Sequence, residues 1–228
     1  MSRGDTLPEK GTADARPVTY RAGELFYRVH SRDYPAHAFN RREQDPHFGG
    51  NRFGSTGNDR YSYLYAAPEQ RTAVAETLLR GVRFGPDGKR LLPYAWLADR
   101  LLSQVRLARD VELVSLVSTP DLSAVQQEDY WLVHSAATEY AFTRRWGHWL
   151  RAEASWADGF VWVSHQDMPA KALVLFGAES GDEHTFTTTG EPPIALDGDA
   201  GVDWLNGILR DYHVTVGPRT PAAAPGGH

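Results

Sequence analysis

The chain has 228 residues, of which 41% are hydrophobic and none is cysteine, and its formal net charge is −5. This composition is sufficient for one sizeable folded domain, excludes disulfides and thiolate chemistry, and argues against direct binding of nucleic acid, which basic surfaces normally provide. The N-terminal residues have no apolar core typical of a signal peptide and no apolar run reaches membrane-spanning length, so we expect a cytoplasmic protein.

Both ends of the chain have the composition of flexible segments, and the part between them is predicted to be one domain. Residues 1–19 are polar and residues 217–228 are low in complexity, which indicates an N-terminal and a C-terminal tail. No linker divides residues 20–216. Strand and helix patterns are intermixed there without strict alternation, which favours an α+β fold.

The first elements contain two charged residues in unusual places. Residues 24–30, ELFYRVH, alternate as a strand with Arg28 in its middle. A guanidinium there requires a carboxylate or a phosphate, so an ion pair and a ligand site are both open. Residues 61–67 predict a second strand, and Pro68 begins a helix over 69–80. Glu76 lies at the edge of that helix's apolar face, where a solvated boundary glutamate is the common alternative to a site residue.

The second half of the chain continues the mixed pattern. A turn is predicted at residues 83–91, strands at 111–118, 159–165, 171–177 and 213–216, and helices at 133–153 and 202–212. The segment 197–203, DGDAGVD, resembles a calcium loop but lacks its glycine and glutamate at the required positions, so we expect a solvated acidic turn. The nine histidines are scattered, and no metal site is predicted.

The stretch GGNRFGSTGNDRYSYLYAA, residues 49–67, is the most distinctive one. Glycines let backbone amides approach a ligand closely, and Arg52 adds a planar fork of donors suited to phosphate oxygens. The alternative is a surface loop followed by a strand whose tyrosines simply pack well.

The order of these motifs resembles the RES-domain family, which is named for an arginine, a glutamate and a serine. The resemblance runs from Glu24 to Phe176 through LFYRVH, GGNRFGS, YLYAA, AVAETLL, TRRWG and DGFVWVSHQD. Two positions depart from the family pattern: Asn51 is inserted before the loop arginine, and His165 stands where many members have an arginine.

The resemblance implies an ADP-ribosyltransferase-like fold, a mixed sheet flanked by helices, that binds and cleaves NAD+ without a metal. It assigns the family arginine, glutamate and serine, the catalytic residues, to Arg28, Glu76 and Ser164. Arginines suit the diphosphate, an aromatic ring suits the cationic nicotinamide, and a carboxylate stabilises the positive charge that develops on the ribose. The expected NAD+-binding residues are Arg28, Arg52, Tyr65, Gly50, Tyr27 and Ser164.

Several functions remain compatible with this resemblance. The NAD+ could be cleaved with water or phosphate as acceptor, or its ADP-ribose could be transferred to a protein. A binding module that has lost catalysis is an alternative of another class. Known members act as toxins paired with helix-turn-helix (Xre-type) antitoxins, so the partners to consider are such an antitoxin and a second copy of the chain. The extension after residue 177 has no assigned role.

Overall fold

The computed structural model describes residues 6–180 and 184–219, which form a mixed α/β domain. The strands are β1 (Pro17–Tyr20), β2 (Leu25–Ser31), β3 (Ser62–Ala66), β4 (Arg90–Leu92), β5 (Arg100–Leu107), β6 (Val111–Leu116), β7 (Gly159–Val163), β8 (Lys171–Gly177), β9 (Phe186–Thr188), β10 (Ile194–Ala195) and β11 (Val214–Val216). The helices are α1 (Gln70–Leu78), α2 (Thr119–Ala124), α3 (Trp131–His134), α4 (Tyr140–Glu153) and α5 (Asp199–Leu209). None of the described helices is long and apolar enough to cross a bilayer.

The main sheet has the strand order β1-β6-β7-β8-β3, with β6 and β7 parallel and the other pairs antiparallel. It is therefore the mixed sheet that the resemblance implies. Alternation along β7 divides its side chains between two cores: Phe160 and Trp162 pack on one face, and Val161 packs on the other. Both faces are covered, which explains why this strand has no polar face.

A second sheet has the strand order β10-β5-β2, with β9 paired to another part of β5. It packs against the main sheet through a shared apolar core and is bridged to it at Tyr27 and Ala67. There Tyr27 and Ala67 exchange two backbone hydrogen bonds of 2.7 and 2.9 Å. Helix α1 follows directly and contacts β2. This junction brings the first strand, the strand of tyrosines and the Glu76 helix to one place.

Most predicted elements are present, but one predicted helix is broken and one central strand was not predicted. The helix predicted over 133–153 is broken, because Ser135 is extended and its carbonyl and hydroxyl both accept hydrogen bonds from Arg52. Strand β5, the centre of the second sheet, was not predicted. Its sequence RLLSQVRL places three charged or amide side chains among the apolar ones, and its burial does not alternate cleanly.

The ends of the described chain lie against the domain. The amides of Gly11 and Thr12 donate to the carboxylate of Glu153 at 2.7 and 3.1 Å, and β1 pairs with β6, whereas the composition assigned residues 1–19 to a flexible tail. At the other end, the amide of Gly217 donates to the carbonyl of Leu92. Residues 1–5 and 220–228 of the two predicted tails lie outside the described residues.

The acidic segment 197–203 is not a solvated turn. Asp197 accepts two hydrogen bonds from Arg32, at 2.9 and 3.1 Å, and one from the amide of Asp99. Helix α5 begins at Asp199, three residues earlier than predicted. Asp197 therefore binds residues next to the ends of β2 and β5, and Asp199 begins a helix.

A close approach between β7 and β8 makes Gly159 essential for the fold. A Cβ at this position would lie 2.0 Å from the carbonyl oxygen of Val174. We expect Gly159→Ala to lower the free energy of unfolding by about 3 kcal/mol or more, because the strands must separate. Gly207→Ala in α5 is the control: its Cβ meets nothing within 4 Å, and alanine there should add about 0.5–1 kcal/mol. Urea denaturation of both variants measures this, and equal stabilities would contradict the packing.

Candidate active site

A cavity of about 960 Å³ opens where the two sheets and α1 meet. Its wall combines residues of β2, β3, α1 and the segment that connects β2 to β3. The charges on this wall are strongly unbalanced, because five arginines face one carboxylate: Arg28, Arg41, Arg42, Arg80, Arg100 and Glu76. Such a concentration of one sign in a cleft attracts an anionic ligand.

Glu76 is held at both carboxylate oxygens. The hydroxyl of Ser164 donates to Oε1 at 2.6 Å, and the guanidinium of Arg80, just beyond the end of α1, donates to Oε2 at 2.9 Å. Only 14% of the Glu76 side chain is exposed. The sequence alternative of a solvated boundary glutamate is therefore wrong: this carboxylate is fixed in the wall of the cavity.

The direction of the Ser164 hydroxyl is determined by its surroundings. Ser164 follows β7 and is completely buried. Its oxygen accepts hydrogen bonds from the amides of Gln166 and Asp167, at 3.2 and 3.0 Å. A hydroxyl has one proton and two lone pairs, so with both lone pairs occupied the proton is directed at Glu76.

Opposing effects set the pKa of Glu76. Burial raises it, whereas the positive charge of Arg80, the hydrogen bond from Ser164 and the charge of Arg52 lower it. The lowering effects prevail, and the pKa lies below the ordinary value for glutamate. Glu76 is thus an ionised carboxylate near neutral pH.

Arg28 lies in the cavity wall without an acidic partner among the described residues. Its Nη1 donates to the carbonyls of Ala36 and Ala38, both at 2.8 Å, while its buried Nε has no partner. Burial without a neighbouring carboxylate lowers its pKa to about 10. Of the two alternatives for Arg28, the ion pair is absent from the described residues, and a cation without a carboxylate lies in the cavity wall.

Two tyrosines expected at the site also line the cavity. Tyr65 is fixed by its hydroxyl, which accepts a hydrogen bond from the amide of Phe53 at 2.8 Å, and its ring lies 6.2 Å from that of Trp162. Tyr27 is fixed by Gln104, whose amide donates to its hydroxyl at 2.7 Å. Both hydroxyls are engaged with the protein, so the rings offer apolar and π surface to a ligand.

Arg52 and Gly50 are not among the residues that line the cavity. The guanidinium of Arg52 is buried and donates to the carbonyl of Leu132 at 3.1 Å and to the hydroxyl and carbonyl of Ser135 at 2.6 and 2.9 Å. Gly50 has φ of +76°, and a Cβ there would lie 2.5 Å from an oxygen of Gln44. In this structure the loop arginine and glycine shape the protein beside the cavity.

Two arginines that matter for the site were not singled out from the sequence. Arg80 pairs with Glu76 and could have been found from its spacing of four residues on a predicted helix. Arg144 of α4 is buried and donates to the carbonyls of Asp45, Gly49 and Asn51, so it organises the glycine-rich loop. Arg144 belongs to the motif TRRWG. The role of this arginine cannot be predicted from the motif, because it depends on where the glycine-rich loop lies.

The two departures from the family pattern have different positions. Asn51 lines the cavity, and its side-chain amide donates to the hydroxyl of Tyr63 at 3.2 Å. His165 is exposed and packs edge-on against His134, with ring centroids 4.9 Å apart. Within residues 6–180 and 184–219, no cluster of three histidine or carboxylate side chains is arranged to hold a metal ion.

Comparisons with known proteins agree with this architecture. The sequence model of the RES domain matches residues 25–197. One solved structure with a similar fold is the M. tuberculosis MbcT-MbcA toxin-antitoxin complex, with 14% identity and a TM-score of 0.51. The similarity covers 78% of this chain and 86% of that one. No curated protein sequence matches the chain.

Loss of the Ser164 hydroxyl should be detectable at Glu76. We expect Ser164→Ala to raise the pKa of Glu76, because a hydrogen bond to the ionised form is removed while burial still favours the neutral form. The measurement is a carboxyl ¹³C NMR titration of wild type and variant, with the exposed Glu69 as internal reference. A Glu76 titration that is the same in both proteins would contradict the assigned contact.

Arg52 should contribute mainly to stability. Arg52→Ala removes three hydrogen bonds from a buried guanidinium and leaves carbonyls of the α3 end unpaired, so we expect a loss of about 3 kcal/mol in the free energy of unfolding. Arg83→Ala, at an exposed arginine, is the control and should change stability by less than about 0.5 kcal/mol. Guanidinium denaturation compares the two, and equal values would mean that Arg52 has no structural role.

Proposed function

The chain belongs to the RES domain family, and we propose that it is an enzyme that cleaves the bond between nicotinamide and ribose in NAD+. The observation that carries the proposal is the ionised Glu76 carboxylate, fixed by Ser164 and Arg80 in the wall of a large cavity rich in arginine. A fixed carboxylate is what glycosyl transfer through an oxocarbenium-like state requires.

The charges of the cavity fit a dinucleotide. The diphosphate of NAD+ carries two negative charges, and Arg28 is a buried cation of the cavity wall that has no acidic partner among the described residues. Arg41, Arg42 and Arg100 add positive charge at more exposed parts of the wall. Arginine binds phosphate oxygens through charge-assisted hydrogen bonds, which supports these residues as the diphosphate site.

The aromatic residues fit the other end of the ligand. Nicotinamide in NAD+ is flat and cationic, and aromatic faces attract such a ring. Tyr65 and Trp162 line the cavity together with Glu76, and Tyr27 lies on the neighbouring strand. Placing nicotinamide against these rings would bring its bond to ribose near the carboxylate.

In the proposed reaction the bond between the anomeric carbon and the pyridine nitrogen breaks, and its electron pair remains on the nitrogen. Neutral nicotinamide leaves, and the positive charge that develops on the ribosyl carbon is stabilised by the Glu76 carboxylate. An oxygen of water or phosphate then bonds to that carbon, and water releases a proton. A group of a target protein in place of water would make the same step an ADP-ribosyl transfer.

A toxin role is part of the proposal. The similar solved structure is that of a toxin in complex with its antitoxin, and the similarity of fold extends over most of both chains. We infer that this chain also acts in a toxin–antitoxin pair and has a protein antitoxin, of the helix-turn-helix class that the family resemblance implies. Depletion of NAD+ would be the toxic effect.

Glu76→Gln tests the reaction. We expect nicotinamide release to fall by about 10³-fold or more, because the amide keeps the shape but loses the charge that stabilises the transition state. Glu69→Gln, at an exposed carboxylate beside the same helix, is the matched control and should retain activity. Purified proteins are incubated with NAD+, with and without phosphate, and the products are separated and weighed by mass spectrometry.

The product masses identify the acceptor. ADP-ribose indicates water, ADP-ribose carrying an added phosphate indicates phosphorolysis, and an added mass on protein indicates transfer. Equal release by wild type and Glu76→Gln would remove the carboxylate from the mechanism. If NAD+ binds but wild type releases no nicotinamide and modifies no protein in a cell lysate, the enzyme assignment is wrong and a binding module replaces it.

A further inference from the structure

The chain continues beyond residues 25–197, which match the family, and this continuation returns to the active site. After α5, a short 3-10 turn over Arg210–Tyr212 brings Tyr212 to the turn between β7 and β8. We propose that Tyr212 positions Ser164, and through it Glu76, by holding the buried side chain of Asp167. The inference rests on the proposed function, since it concerns the same carboxylate.

Asp167 is the centre of the contact. It is 6% exposed, and each of its carboxylate oxygens has a short hydrogen bond: Tyr212 donates its hydroxyl to Oδ1 and Thr72 donates its hydroxyl to Oδ2, both at 2.6 Å. Arg71 adds an ion pair of 3.1 Å to Oδ1. A buried carboxylate is tolerated only when its oxygens are satisfied, so these donors determine where Asp167 can lie.

Asp167 in turn determines where the Ser164 proton is directed. Its amide donates to the Ser164 oxygen at 3.0 Å, and its carbonyl accepts from the amide of Ala170, whose own carbonyl accepts from the amide of Ser164. The turn is therefore closed on itself, with Asp167 fixed at one side. A displacement of Asp167 would change the direction of the Ser164 hydroxyl, which is the donor to Glu76.

Helix α1 contacts the turn after β7 through two separate hydrogen bonds. Thr72 and Glu76 are four residues apart and lie on the same face of the helix. Thr72 binds Asp167, and Glu76 binds Ser164, so two short hydrogen bonds connect α1 to the same turn. Tyr212 supports the first of these connections from the C-terminal segment, outside the part that matches the family.

Tyr212 is suited to this role because it remains a donor. Burial and the hydrogen bond to Asp167 raise its pKa to about 12, so its hydroxyl is protonated under working conditions. The guanidinium of Arg71 lies over its ring, 5.3 Å from the centroid, and donates to its hydroxyl at 3.2 Å. The ring and the hydroxyl are thus both held.

The alternative is that Tyr212 only attaches the C-terminal segment to the domain. Tyr94 provides the matched comparison, because its hydroxyl donates to the carbonyl of Asp197, immediately before the C-terminal segment, and not to Asp167. Both tyrosines can be replaced by phenylalanine with loss of one hydroxyl. Only Tyr212→Phe should then affect the catalytic carboxylate.

The experiment compares wild type, Tyr212→Phe and Tyr94→Phe as full chains. We expect Tyr212→Phe to lower kcat for nicotinamide release from NAD+ by about tenfold with KM within twofold, since alignment and not affinity is lost. We also expect it to raise the pKa of Glu76 in the ¹³C NMR titration. Tyr94→Phe should leave kcat and the Glu76 titration as in wild type.

Equal effects of the two variants, or a Glu76 titration unchanged in Tyr212→Phe, would overturn the proposal. If Tyr212→Phe does not fold, Thr72→Val takes its place, because it removes the other short donor to Asp167 with nearly the same volume. The titration needs no substrate, so it decides on Tyr212 even if wild type fails to cleave NAD+. In that case the proposed reaction is rejected, and the titration alone decides whether Tyr212 positions Glu76.

Discussion

The constraint on which the site depends is the confinement of a carboxylate inside an apolar domain. Removing Glu76 from water costs free energy, and the structure offsets this with the cation of Arg80 and the hydroxyl of Ser164. The Ser164 proton is directed at Glu76 because two backbone amides occupy the lone pairs of the hydroxyl. The turn after β7, the helix α1 and the sheet junction must therefore all be in place before the carboxylate is tolerated, which makes the site a property of the whole fold.

The arginines divide into those that build the protein and those that face the cavity. Arg52 and Arg144 are buried and direct their donors at carbonyls of neighbouring segments, where one guanidinium ties several loops together. Arg80 and Arg100 line the cavity instead. Arg28 does both, since it binds two carbonyls and keeps a buried nitrogen unpaired beside the cavity. Composition alone cannot make this division, because it depends on which carbonyls lie within reach.

The sequence predicts a feature when the feature depends on neighbouring residues, and it fails when the feature depends on contacts between distant parts of the chain. Strand β8 was predicted because its apolar run reflects its burial directly. Strand β2 was predicted from its alternation, although its buried residues are Phe26 and His30 and Leu25 is exposed. β5 was missed because its charged residues interrupt the pattern, although it is the centre of its sheet. Of the residues that the motif order singled out, Arg28, Tyr65 and Glu76 line one cavity, whereas Ser164 is buried behind it and bonded to Glu76. The position of Arg52 could not be predicted, because its partners lie 80 or more residues away in the chain.

The C-terminal segment belongs to the same physical unit as α1, the helix that carries Glu76. Val74 and Leu78 of α1 lie in an apolar core with Leu205 and Leu209 of α5, and β11 pairs in parallel with β4 next to that core. Because all four of these side chains are almost fully buried, α5 supplies part of the apolar core against which the face of α1 opposite Glu76 packs. A helix of nine residues is not stable alone in water, so its order must come from this packing. The part of the chain beyond the family match therefore completes the support of the proposed active site.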